Sequence, residues 1–194
     1  MVIDQRNAGA SVTPTTGIYV IDRWTTSLAQ ASKLTFQQVT DAPTGYKNSL
    51  KVTVASQYSP NSTDYFGLLQ AIEGLNVVDL SFGNSGAVTV TLSAQVKASV
   101  AGTYAIRLTN GASNRSYIGT YTISATATWT PLVVTIVGDQ SGTWVTDNTT
   151  GIQVFFDLGS GSSFQTTAGS WQSGNYTRTS GSVTFVNQTA GATW

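Results

Sequence analysis

The stretch Ala87-Val88-Thr89-Val90-Thr91-Leu92-Ser93-Ala94-Gln95-Val96-Lys97 decides the fold. Val88, Val90, Leu92, Ala94 and Val96 share one parity; Thr89, Thr91, Ser93, Gln95 and Lys97 share the other. Successive side chains of an extended chain point to opposite faces, so this segment is a strand with one face in a core and one in water. The same parity recurs downstream in Tyr104, Ile106 and Leu108, in Leu132, Val134 and Ile136, and in Ile152, Val154, Phe156 and Leu158. Upstream it appears in Leu34 and Phe36 and in Leu50, Val52 and Val54, and residues 117–123 and 183–186 supply further strands. Turn residues separate these runs: Asp41-Ala42-Pro43-Thr44-Gly45, Asn84-Ser85-Gly86, Asn110-Gly111 and Asp147-Asn148-Thr149-Thr150-Gly151. The Gly-, Ser- and Thr-rich stretch 159–176 reads as a long surface loop. Only residues 75–82 suggest helix, and then a short turn at most. Short alternating strands without helical spacers predict an all-β fold: a jelly-roll β-sandwich of two antiparallel sheets with very little helix. Residues 1–6 read as an N-terminal tail and residues 7–194 as a single jelly-roll domain, one that lacks a final strand by comparison with the family described below.

Composition narrows the chemistry. Charged residues make up 9% of the chain, against about 25% in an ordinary domain. Nine basic residues balance nine acidic ones, so no basic field exists to hold nucleic acid or an anionic membrane. Cysteine and histidine are both absent, which removes disulfides, Cys or His metal sites and the Ser-His-Asp and Cys-His mechanisms. No leader-like segment opens the chain and no apolar run is long enough to span a bilayer as a helix. A glycosidase would need two facing carboxylates, and no such pair is visible in the spacing. The expectation is a protein that is not an enzyme and has no cofactor. Asp139 and Asp147 are oxygen ligands that a structural calcium would use, though their spacing matches no calcium loop.

Aromatic residues carry the remaining signal. Flat rings cover the C–H faces of sugars, with amides and hydroxyls alongside to bond the sugar hydroxyls; the same rings serve protein interfaces. Trp144 with Asp147 and Asn148, and Trp171 with Asn175, Tyr176 and Arg178, lie in loop-like sequence and form the expected ligand-binding set. Trp24 and Trp129 sit at strand ends and read as structural. Asp157 has the parity opposite to Phe156, so it is expected outward or in a groove.

Three longer phrases resemble a large group of phage and prophage tail proteins: Gln70-Ala71-Ile72-Glu73-Gly74-Leu75-Asn76-Val77-Val78-Asp79-Leu80; Asn114-Arg115-Ser116-Tyr117 with Thr120-Tyr121-Thr122-Ile123-Ser124; and Gly138-Asp139-Gln140-Ser141-Gly142-Thr143-Trp144-Val145-Thr146-Asp147-Asn148. The resemblance covers the chain from about Asn7 and implies a jelly roll similar to galactose-binding-like and carbohydrate-binding modules. It implies a virion setting in a tail fibre or surface appendage, self-association with a trimer favoured, contact with other tail proteins, and a host-surface glycan as ligand. A purely structural assembly, spacer or decoration role is the alternative, with glycan degradation third. Members of this group run on past the position of Trp194 into a further apolar strand, so an edge left uncovered is expected to be covered by a neighbouring subunit or another segment.

Overall fold

The structure, a computed structural model, describes residues 3–194. Eleven strands form its framework, with four single-turn 3-10 helices and no α-helix among the described residues. One sheet has the order β1 (Tyr19–Ile21), β2 (Trp24–Leu28), β5 (Phe66–Glu73), β10 (Thr150–Asp157), β7 (Gly102–Asn110), β8 (Arg115–Ile123) and β11 (Trp171–Ser173). The opposing layer holds the hairpin of β3 (Leu34–Val39) with β4 (Ser49–Val54) and the antiparallel pair of β6 (Val90–Val96) with β9 (Thr130–Ile136), whose strands are separated in the chain by β7 and β8. Every pairing between named strands is antiparallel. The chain crosses repeatedly between layers, as a jelly roll does. The all-β sandwich expected from the alternation is the fold.

Parity explains the core. Val90, Leu92 and Ala94 on β6 stand opposite Ile136, Val134 and Leu132 on β9, and they share one core with Leu68, Tyr104, Ile106, Leu108, Val154 and Phe156 of the large sheet. The hairpin β3–β4 contributes Leu34, Phe36, Val52 and Val54. Regular strand begins at Val90, and Val88 is exposed.

Residues 191–194 bridge β4 and the segment that follows β6. Trp194 and Val52 exchange both backbone hydrogen bonds, at 2.7 and 2.9 Å, and Val54 bonds to Ala192 and Gly191. On the other side, Ser99 N–H donates to Thr193 O at 2.9 Å. Residues 191–194 therefore run as a short strand between β4 and the end of β6.

The stretch 159–176 is not a free loop. It folds back over the outer face of the large sheet, carries β11 and bonds to Ile118, Asn114 and, just beyond it, Thr103. Both faces of β7 and β10 are buried in consequence. Asp157, expected outward, is 1% exposed for this reason. The N-terminal segment is also tied down. Asp4 accepts from the backbone of Asn7 and Gly9, and Gln5 donates to Asp22. Met1 and Val2, part of the expected tail, lie outside the described residues.

Candidate binding slot

The residues expected to bind a ligand fall into separate environments. Trp144 and Trp171 do meet, with ring centroids 5.3 Å apart, but Phe82 and Tyr117 pack against them edge-on. Their indole N–H groups are spent on Ser141 O and Val137 O. The cluster packs the corner where the 137–149 loop meets β8 and β11, and its rings face one another. Asp147 accepts from the amide and hydroxyl of Thr149, which hold its carboxyl below the usual carboxylate range, and Asn148 is exposed beside it. Asn175 accepts from buried Arg107 at 2.7 Å, and the Tyr176 amide donates to Ser116.

Arg178 is 3% exposed and donates to Ser160 O, Thr184 Oγ1 and Ser182 O, with its Nε 3.8 Å from Asp157. It is an interior strut and does not reach a ligand at the surface. Burial pushes the Asp157 carboxyl up, with Arg178 opposing. Burial likewise lowers Arg107 to about 10 against the pull of Asp157. Asp139 is 2% exposed and grips Arg115 through two 2.7 Å bonds. With its oxygens so engaged, and no group of three His, Cys, Asp or Glu side chains poised for a metal among the described residues, the geometry lends no support to calcium at Asp139 or Asp147.

A different site emerges from the strand arrangement. Residues 191–194 lie between β4 and the segment that follows β6, with Trp194 beside Val52. Beyond it, Ser49–Lys51 of β4 faces residues 93–97 across an open slot of about 300 Å³. Because one strand fits between the same two walls further along, the slot is one strand wide. Backbone parity gives its hydrogen-bonding character. Val52 and Val54 use both backbone groups toward the C-terminal segment, and the next residue of that parity is Leu50. On the facing wall the parity of Ser99 continues at Lys97 and Gln95. These residues turn unpaired ladder groups into the slot.

Side-chain parity divides the slot into floor and rim. Trp24, Leu68 and Phe156 of the large sheet form the floor, and Trp194 closes one end, its ring 5.2 Å from Phe156 and its Nε1 donating to Tyr121. Ser49 and Lys51 on one wall, and Ser93, Gln95 and Lys97 on the other, form a polar rim. At the mouth the 40–48 turn reaches across: Asp41 pairs with Lys97, whose ammonium also lies 4.9 Å above the Trp129 ring. Lys97, then Trp129, hold the Asp41 carboxyl below its ordinary value. Tyr46, 61% exposed, stands beside them.

None of these slot residues was in the expected set. Trp24 and Trp129 read as strand-end packing, and Asp41 as a turn cap. The available signal was Lys97 closing an alternating run and Tyr46 inside a turn, but the slot itself depends on where residues 191–194 dock, which no local pattern encodes. No protein-family model matches this chain, and no curated protein sequence matches it either.

Proposed function

We propose that this chain is a non-enzymatic binding and assembly domain that docks an extended polypeptide segment in the slot between β4 and β6. One observation carries the reading: a one-strand-wide slot with an apolar floor and unpaired backbone groups on both walls. Main-chain pairing supplies affinity in such sites, and pockets for alternate side chains supply selectivity. Among the described residues Asp41 is the only Asp or Glu side chain lining the slot, so the two-carboxylate chemistry of glycoside hydrolysis has no second side-chain partner there. The phrases resembling phage tail proteins supply the setting: a virion tail fibre or surface appendage, where domains self-associate and contact other tail components.

Hydrogen exchange tests the reading. A strand-forming peptide of alternating Val and Thr slows exchange at Leu50, Gln95 and Lys97 and leaves β7 unchanged. Unaltered exchange at those amides over a saturating titration contradicts it. A second reading, a host-surface saccharide at the mouth, is favoured by the exposed Tyr46 ring and the half-buried Trp129 ring beside Asp41 and Lys97. It predicts glycan-array binding that disappears in Trp129→Ala while peptide protection is retained.

A further inference from the structure

Away from the slot, the layer between the large sheet and the stretch that folds back over it is polar. Six buried side-chain atoms have no hydrogen-bond partner among the described residues, and all six lie in this layer. Arg107 Nε and Asp157 Oδ2 belong to the sheet; Ser160 Oγ, Thr177 Oγ1, Arg178 Nε and Ser182 Oγ belong to the covering residues. Buried polar groups of native proteins are bonded to protein or to ordered solvent, so a concentration of this kind points to a bound molecule.

Two of the six define where it sits. Asp157 Oδ2 and Arg178 Nε stand 3.8 Å apart, beyond direct hydrogen-bond reach. Both side chains are held in place by their remaining atoms. Asp157 Oδ1 accepts the Ser160 amide at 3.0 Å, and the other two guanidinium nitrogens donate to Ser160 O, Thr184 Oγ1 and Ser182 O. Burial raises the Asp157 carboxyl, and Arg178 and then the Ser160 hydroxyl oppose that push, which puts the hydroxyl beside the same carboxyl.

The chemistry of the two atoms selects the ligand. A carboxylate oxygen only accepts and a guanidinium N–H only donates. A halide suits the N–H but faces the carboxylate; a metal ion suits the carboxylate but faces the guanidinium. A neutral molecule that donates and accepts serves both, and at about 2.8 Å from each atom it reaches them together. We infer that one ordered water is bound between β10 and the covering residues, accepting from Arg178 Nε and donating to Asp157 Oδ2. The Ser160 hydroxyl is its third partner, the number an interior water ordinarily has. The hydrogen bonds that Arg178 makes on its own all go to covering residues, at 160, 182 and 184, so the water gives the guanidinium its hydrogen-bonded link to the sheet.

A crystal structure of the chain, grown with bromide in place of chloride and resolving solvent, tests this. The expected result is a single oxygen within hydrogen-bond distance of Asp157 Oδ2 and Arg178 Nε, without anomalous signal at the bromide edge. A bromide peak there overturns the inference in favour of an anion. Direct contact of the two side chains, with no solvent between them, overturns it in favour of a plain ion pair. In solution, magnetic relaxation dispersion counts long-lived waters. The double variant Asp157→Leu/Arg178→Met removes both charges together and leaves neither ion buried alone. It is expected to hold one long-lived water fewer than the parent, and an unchanged count overturns the inference. The crystal measurement uses the parent chain, so it decides the matter even where the double variant does not fold.

Discussion

Gly67→Ala probes the packing of the large sheet most sharply. Gly67 on β5 stands opposite Asp157, beside Phe155 on the outer face of β10. A methyl group at Gly67 would come within 2.0 Å of Phe155 Cζ, and both adjacent ring carbons lie within 2.5 Å. The ring has little room to yield. Phe155 is 1% exposed, and the Arg107 guanidinium lies 4.9 Å from its centroid, itself held by Asn175. Overpacking of a rigid site costs about 1–3 kcal/mol, and the displaced Arg107 adds a weakened buried hydrogen bond of about 1 kcal/mol. A total of about 2–4 kcal/mol lowers the melting temperature by roughly 5–15 °C for a chain of this size. Differential scanning calorimetry and urea unfolding measure both. Phe155→Leu alone leaves a partial cavity worth about 1–2 kcal/mol. In the double variant the leucine makes room for the methyl group, so the two costs sum to less than their separate values. Strict additivity, or a Gly67→Ala variant as stable as the parent, would refute the claim that the ring is pinned between glycine and arginine.

Trp171→Ala removes one ring from the cluster of Phe82, Trp144 and Tyr117 and is expected to cost about 2–3 kcal/mol in chemical denaturation, with peptide binding at the slot unchanged. Asp139→Ala leaves the largely buried Arg115 guanidinium without its two-point partner and should cost about 2–4 kcal/mol, with little recovered by Asp139→Asn. Acid has a directional effect. Burial alone would raise the Asp64 carboxyl, but Tyr58 and Asn61 outweigh it and lower it, so its contribution is present above the ordinary carboxylate value of 3.8 and is lost as pH falls through the depressed one. Asp157, raised by burial, acts in the opposite sense and loses its contribution as pH rises. A melting-temperature profile should therefore fall below about pH 4, and Asp64→Asn should flatten that fall.

The architecture was legible where one face is wet. The parity of residues 87–97 and 132–136 fixes both the strands and their inward faces, because an antiparallel pair half in water must alternate. Legibility failed where both faces are covered. Asp157 and Arg178 carry charges in sequences that read as surface, yet the fold-back of residues 159–176 buries both, and only that tertiary cover decides their role. Trp144 and Trp171 illustrate the same limit: loop-like flanks suggested exposed rings, whereas mutual edge-to-face packing spends them on each other. Trp24 and Trp129 were set aside as strand-end residues, and the docking of 191–194 beside only part of β4 is what brings them to a slot.

The most direct test of the slot uses the indole N–H resonances of the five tryptophans. Titration with the strand-forming peptide of alternating Val and Thr is predicted to shift Trp24 and Trp194 on the floor and Trp129 at the mouth, and to leave Trp144 and Trp171 in place. Shifts confined to Trp144 and Trp171, or five unmoved resonances at saturating peptide, would contradict the assignment of the slot as the binding site.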